Sequence, residues 1–155
     1  MIDPEYPLKH VMEDALRGHW QAVAEGFSGQ GPSKLLDITV DLSDLTAPRC
    51  EILQTSTLHL GGLGQHYVNG MVTSALLDLS IGITGLNYVQ EGFFATSSIN
   101  INFQKPLESG HVYAVSRCRQ REGKNLLVDA TVYNGSGEPR VVASGTVRVG
   151  IKASS

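Results

Sequence analysis

From Gly70 to about Leu86 the chain has no proline and one charged side chain, Asp78. An apolar run of that length outlasts a strand and predicts a core helix. Val72, Leu76, Leu79, Ile83 and Leu86 recur at helical spacing and form an apolar stripe. Gly70, Ser74, Asp78, Gly82 and Gly85 form a second stripe of small residues around one carboxylate. Small residues let another element approach closely. A lone aspartate is rarely fully buried unless it is paired. Asp78 is therefore either satisfied by a neighbouring hydroxyl or faces whatever approaches the stripe. Asn69-Gly70 opens the helix, where free backbone N–H groups and the positive end of the dipole are presented.

A chain of 155 residues is one domain's worth. It buries roughly 68–70% of its unfolded surface without needing a disulfide or metal. Its net charge of -3 argues against a nucleic-acid partner. Cys50 and Cys118 lack CxxC spacing, fit a reducing compartment, and spell no metal site with the histidines. Met1-Ile2-Asp3-Pro4-Glu5 shows no signal-peptide pattern, and no apolar run reaches the ~20 residues of a membrane span. The expectation is a cytoplasmic protein without a membrane partner.

Residues 8 to 27 place Val11, Met12, Ala15, Leu16, His19, Trp20, Val23 and Phe27 on one broad side of an amphipathic helix, weakened at Gly18 by about 1 kcal/mol. Residues 28 to 33 are expected to be a loop. Leu36 to Leu42 alternates strictly and predicts a strand with Asp37, Thr39 and Asp41 on its wet face. Cys50 to Leu60 is expected to return antiparallel to it. The loop from Gly61 to Val68 lacks the Gly-Lys-Ser/Thr ending of a phosphate loop, but it carries His66 to the mouth of the helix. Four strands follow, over 96–104, 111–122, 126–133 and 141–149, joined by turns short enough to force antiparallel neighbours.

Arg117, Arg119 and Arg121 are expected to share one strand face beside Lys124. They are either a solvated outer face or a rim for an anionic handle such as the phosphates of coenzyme A. Cys118 falls on the opposite, core side. His10 and His19 read as surface or packing residues, and His59 and His111 as structural ones.

The order of elements resembles the hotdog fold: an α+β arrangement of a long central helix wrapped by a six-stranded antiparallel sheet, here with an N-terminal helix. More narrowly, the chain looks like the phenylacetate-pathway (PaaI-like) acyl-coenzyme A thioesterase branch. That branch opens its helix with His-Gly-Gly and places an acid nine residues after the histidine. Here Asn69-Gly70-Met71 stands at the opening, and Asp78 lies nine after Asn69. Thr96, the Ile99-Asn100-Ile101-Asn102-Phe103 strand through Pro106, the Gly123-Lys124 hairpin and Val142-Ala143-Ser144-Gly145-Thr146-Val147 are also similar to the family pattern. The chain departs from it at Asn69, at Met71, and at Leu63, where an Asn or Gln often stands; Gln65 or His66 is the nearby substitute. The resemblance implies residues 1–32 as an N-terminal helix and loop, 33–150 as the hotdog domain and 151–155 as a tail.

The resemblance implies thioester hydrolysis without a cofactor. A thioester needs a donor at the carbonyl oxygen and a base or nucleophile at the carbonyl carbon. Gly70 N–H is the expected donor, and Asp78 the base on a water or the nucleophile. Thr96 either holds the water or Asp78, or is a plain strand threonine. Asn69 is an active-site amide, the helix N-cap, or both. His66, Met71, Ser74 and Lys124 are the expected substrate contacts, His66 being otherwise an exposed loop residue. Gly70 and Asp78 lie ~12 Å apart along one helix, whereas reacting groups meet within about 3–3.5 Å. Gly70 of one subunit is thus expected to work with Asp78 of another, in a homodimer or a dimer of dimers (a homotetramer). The alternatives are a non-catalytic hotdog protein binding an acyl thioester or a related small ligand, and a hotdog hydratase, whose usual Asp–His pairing has no counterpart after Asp78.

Overall fold

Period-two alternation along the late strands sets up the core. Leu126, Val128, Ala130 and Val132 of one strand, and Val141, Ala143, Val147 and Val149 of the next, are all buried. They close over Val72, Leu76, Leu77 and Ile81 of the central helix, whose own burial is as complete. In this computed structural model, residues 8–62 and 64–152 are described. The elements are α1 (Leu8–Leu16), α2 (Trp20–Ser28), α3 (Gly31–Leu35), β1 (Thr39–Asp41), β2 (Arg49–Ile52), α4 (Gly70–Gly82), a 3₁₀ segment (Ile83–Glu91), β3 (Phe93–Phe103), β4 (Val112–Glu122), β5 (Asn125–Tyr133) and β6 (Pro139–Ile151). The six strands form one antiparallel sheet in the order β1-β2-β4-β5-β6-β3, curled around α4. This is the expected α+β hotdog arrangement.

Several polar groups inside it are paired. Ser80 of α4 and Ser116 of β4 share a 2.6 Å hydroxyl contact, and the Thr84 hydroxyl donates to the Ile81 carbonyl at 2.7 Å. His59 is fully buried. Its Nδ1 accepts from Ser56 N–H at 2.9 Å, which leaves Nε2 to donate to the Leu36 carbonyl at 2.7 Å. The His59 carbonyl accepts the Asn69 N–H at 2.7 Å, so this histidine ties the loop before α4 to the chain after α3. Burial pushes the Cys50 thiol far up, consistent with an inert core residue.

Several boundaries differ from expectation. The single helix over 8–27 is two helices, α1 and α2, because Gly18 adopts φ +73°, which lies outside helical geometry. The expected loop at 28–33 already contains the start of α3, begun at a glycine with Pro32 in its first turn, where the missing N–H costs nothing. The strand over 36–42 shrinks to three residues because Asp37 takes φ 51°. The strand over 50–60 is regular only as far as Ile52, and beyond it Leu60 makes a single bridge to Val68. The central helix loses α geometry at Gly82 and continues as 3₁₀ to Glu91, through a stretch of β-branched residues and glycine that favour helix weakly. Together they make 22 helical residues, long and apolar enough by length and composition to cross a membrane, although no run of ~20 was expected; the stretch is mostly buried inside the sheet.

The arginine face is also corrected. Arg117 pairs with Asp129 and Cys118 with Val128, but Gln120 pairs with Leu127, so Arg119 is the extra residue of a β-bulge. The bulge inverts the alternation, and Arg121 falls opposite buried Leu126, on the helix side. There its guanidinium makes a two-point contact with Glu91 at 2.7 and 2.6 Å and lies over the Tyr88 ring. Arg119 pairs with Asp129 at 3.2 Å on the outer face. The three arginines do not form one rim. Cys118 is half-buried against the core, as expected.

The two sheet edges are unequal. β1 is short, and its Val40 N–H is taken by the Ser28 hydroxyl of α2 at 2.9 Å. β3 runs for eleven residues, and among the described residues nothing pairs with its outer edge.

Candidate active site

Two cavities flank α4, and the two candidate positions, Gly70 and Asp78, each line one of them. Asn69 caps the helix: its Oδ1 accepts the Met71 N–H at 2.8 Å, with extended backbone at φ -63° and ψ 140°. Gly70 follows as the first helical residue. Among the described residues nothing accepts its N–H, so that donor is open at the positive end of the helix. Gly70 borders a cavity of about 460 Å³ with Gly61, Gly62, Tyr67, Thr73 and Phe103. A Cβ on Gly70 would lie 3.7 Å from the Phe103 ring. Lys105 and Gln104 also border this cavity, which gives it a cationic edge.

Asp78 borders the second cavity, of about 330 Å³, together with Thr96, Gly82, Phe94 and Phe27. Its side chain is exposed in the single chain, and it makes no hydrogen bond or ion pair among the described residues. No neighbouring hydroxyl satisfies it; the carboxylate faces the open space beside the stripe. Thr96 is half-buried on β3, and its Oγ1 lies 3.1 Å from where a Cβ on Gly82 would stand. Gly82 is one helical turn from Asp78, so its missing side chain lets the Thr96 hydroxyl reach the helix surface next to the carboxylate. The stripe of small residues thus has its physical reason. β3 crosses it, with Phe103 over Gly70, Thr96 over Gly82 and Phe94 over Gly85.

The other predicted contacts are scattered. Ser74 lies on the same stripe, but its hydroxyl donates to the Gly70 carbonyl at 2.7 Å. Met71 is 78% exposed beside the cap. His66 is exposed in the loop before the helix, and its carbonyl accepts the Ser109 N–H at 2.9 Å. Lys124 is exposed at the β4–β5 turn, its Cδ and Cε near Gly150. The structure brings Asp78 and Thr96 together, and Asn69 with Gly70; it does not bring the two pairs together within one chain. The sequence reading missed the aromatic walls, Phe27 and Phe94 at one cavity and Tyr67 and Phe103 at the other. Only Phe94 had a signal, because a helical glycine at 85 calls for a bulky neighbour. Among the described residues, no group of three or more His, Cys, Asp or Glu gathers where it could hold a metal ion.

Comparison with known proteins agrees with this architecture. The thioesterase superfamily model matches residues 65–140, which include α4 and the strands β3, β4 and β5. A search of the curated proteins found no match. Among solved structures, a Shewanella oneidensis protein related to the thioesterase superfamily is 18% identical with a TM-score of 0.75, over 90% of this chain and 97% of that one. The E. coli PaaI protein of the phenylacetic acid degradation operon is 15% identical with a TM-score of 0.67, over 92% and 95%. A phenylacetic acid degradation-related thioesterase from Ralstonia eutropha JMP134 is 20% identical with a TM-score of 0.68, over 90% and 99%. With its helix-in-sheet architecture and the match across residues 65–140, the chain is similar to the thioesterase superfamily and has the hotdog fold of these solved structures.

Proposed function

We propose that this protein hydrolyses acyl-coenzyme A thioesters at a site shared between two copies of the chain. The observation that carries the reading is the open edge of β3, laid along α4 so that its Phe103 end covers Gly70 and its Thr96 end covers Gly82. An eleven-residue strand whose outer edge nothing pairs among the described residues is a template for another strand. Antiparallel pairing of β3 with itself about a two-fold near its midpoint sets the Phe103 end of one copy against the Phe93–Ala95 end of the other. Gly70 then lies beside Asp78 and Thr96 of the partner subunit. The ~12 Å between Gly70 and Asp78 on one helix is bridged by symmetry. A homodimer is the catalytic unit, and two such dimers back to back make a tetramer.

The chemistry follows from the groups so assembled. The Gly70 N–H donates to the carbonyl oxygen as negative charge develops there, a contribution of about 2.7–4 kcal/mol for one such donor. Asp78 of the partner subunit takes a proton from a water held by Thr96 as the water oxygen bonds to the carbonyl carbon. The C–S bond breaks, coenzyme A leaves as a thiolate, and the free acid remains. Alternatively Asp78 attacks the carbon itself, and water then cleaves the mixed anhydride. A thiolate is a stable leaving group, so no strong general acid is needed. Lys105 and Lys124, which make no ion pair among the described residues, are cations that suit the coenzyme's phosphates.

The test is thiol release across acyl-coenzyme A esters of varied length and aromaticity. The wild type hydrolyses some of them. Asp78→Asn lowers kcat by about 10²–10⁴-fold while leaving acyl-coenzyme A binding in place. If the wild type releases thiol from none, the non-catalytic binding reading replaces this one.

A further inference from the structure

The cavity beside Gly70 joins one open donor to an apolar interior. Buried Val68, Leu107 and Val141 line it together with Tyr67, Phe103 and Pro106. The Thr73 hydroxyl at its border is already engaged, donating to the Asn69 carbonyl at 3.3 Å. At about 460 Å³ it is larger and more enclosed than the space of about 330 Å³ at Asp78. The latter is an open groove whose lining includes a carboxylate and the Thr96 hydroxyl. One wall of the Gly70 cavity is firmly held. The Tyr67 carbonyl accepts the Gly61 N–H at 3.1 Å, and Tyr67 bridges to Glu108. On either side of it, the His66 carbonyl accepts the Ser109 N–H at 2.9 Å and the Val68 N–H donates to the Leu107 carbonyl at 2.8 Å. Gly61 and Gly62, at φ +133° and +88°, border the same cavity and bring no side chain into it.

A thioester whose carbonyl oxygen meets the Gly70 N–H has one apolar substituent and one polar one to place. We propose that the acyl group enters the Gly70 cavity and that Tyr67 is the specificity-determining wall that limits its size. This inference rests on the thioesterase reading above. The enclosed apolar space suits the acyl group. The thiol arm is polar, ends in phosphates, and runs outward over the exposed border where Gln104 and Lys105 stand. The open groove, with its carboxylate and hydroxyl, suits the water that attacks the carbonyl carbon. A pocket of this size and lining takes an uncharged aryl or medium-length aliphatic acyl group. Val68, Leu107 and Val141 also hold the core, and Phe103 also stands over Gly70. Tyr67 is half-buried and has neither duty, so its size tunes the pocket.

The experiment measures kcat/KM over a straight-chain and an aryl acyl-coenzyme A series for the wild type, Tyr67→Ala and Tyr67→Trp, with Tyr67→Leu in place of Tyr67→Ala if the latter does not fold. The smaller side chain is expected to move the optimum to longer or bulkier acyl groups, and Tyr67→Trp to shorter ones. The ratio of the longest to the shortest accepted substrate should change by about 10-fold or more in opposite directions, the scale of one or two methylenes in an apolar pocket. Phe27→Ala, at the Asp78 groove, is measured alongside. A shift in the profile with Phe27→Ala and none with the Tyr67 variants places the acyl group at Asp78 and overturns the inference. So does an unchanged order of substrates in folded Tyr67 variants, and in both cases hydrolysis itself stands. No thiol release by the wild type instead overturns the thioesterase reading.

Discussion

Glu51 on β2 sits where several charges meet. Its carboxylate accepts from the His111 ring at 2.7 Å and from Arg49 at 3.0 Å, and Arg49 stacks over the Tyr113 ring. Desolvation raises the Glu51 pKa, but the bonds from His111 and Arg49 and their charges outweigh it, so the group ends below its ordinary value of 4.5. A carboxylate whose folded pKa is depressed adds stability that is whole above the unfolded pKa and is lost as pH falls through the folded one. Glu108 is depressed in the same way: desolvation raises it, and a backbone bond, Arg140 and Asn134 outweigh that. The expected outcome is that Glu51→Gln has a lower Tm than the wild type at pH 7. The gap narrows as pH drops below 4.5, the ordinary value of the group. Thermal melts across that range check it, and a gap independent of pH would show that the pair contributes no linked stability. At this same scale the sequence already marked Asp78, Gly70 and Asn69, because a single carboxylate in an apolar helix and an amide before its first glycine are local signals. It did not mark Arg121 for Glu91, since that pairing depends on a bulge that no residue type announces.

The central helix and β3 work as one element. Gly85 is the tightest point between them, where a Cβ would stand 2.4 Å from Cγ of Phe94. Phe94 is part of the Asp78 cavity, so it cannot retreat without changing that wall. Gly85→Ala is expected to cost about 1–3 kcal/mol through overpacking. For a chain of this size that is a Tm lower by roughly 2–4 °C per kcal/mol. A Tm equal to wild type would mean that Phe94 shifts freely and that the contact is soft. The period of the apolar residues was enough to place α4 and β3 to β6 within a few residues. It was not enough for the N-terminal half. Gly18 with φ +73° and Asp37 with φ 51° break elements that hydrophobic spacing alone would continue.

For the whole molecule the decisive question is whether Gly70 and Asp78 act across a two-fold. Gly70 is the first helical residue after an extended Asn69, a position where proline fits the backbone and removes only the N–H. Gly70→Pro and Asp78→Asn are each expected to be nearly inactive alone. When the two variants are refolded or co-expressed together, half of the dimers are mixed, and each mixed dimer holds one doubly defective site and one intact site. Activity should return to about a quarter of wild type, as an isologous dimer requires. Absence of rescue, with mixed dimers shown by mass measurement, would place both groups of a site in one chain or remove one from the chemistry. The sequence by itself determined the buried helix, the antiparallel order of the long strands and the carboxylate eight residues beyond an exposed amide. These follow from local periodicity and spacing, which need no partner. Only the tertiary structure decided that β1 is closed by α2 while β3 stays open, that a bulge sends Arg121 to the helix side, and that Phe27 meets Asp78 across some fifty residues of chain. Those depend on where distant segments land on one another, and hydrophobic pattern is blind to that.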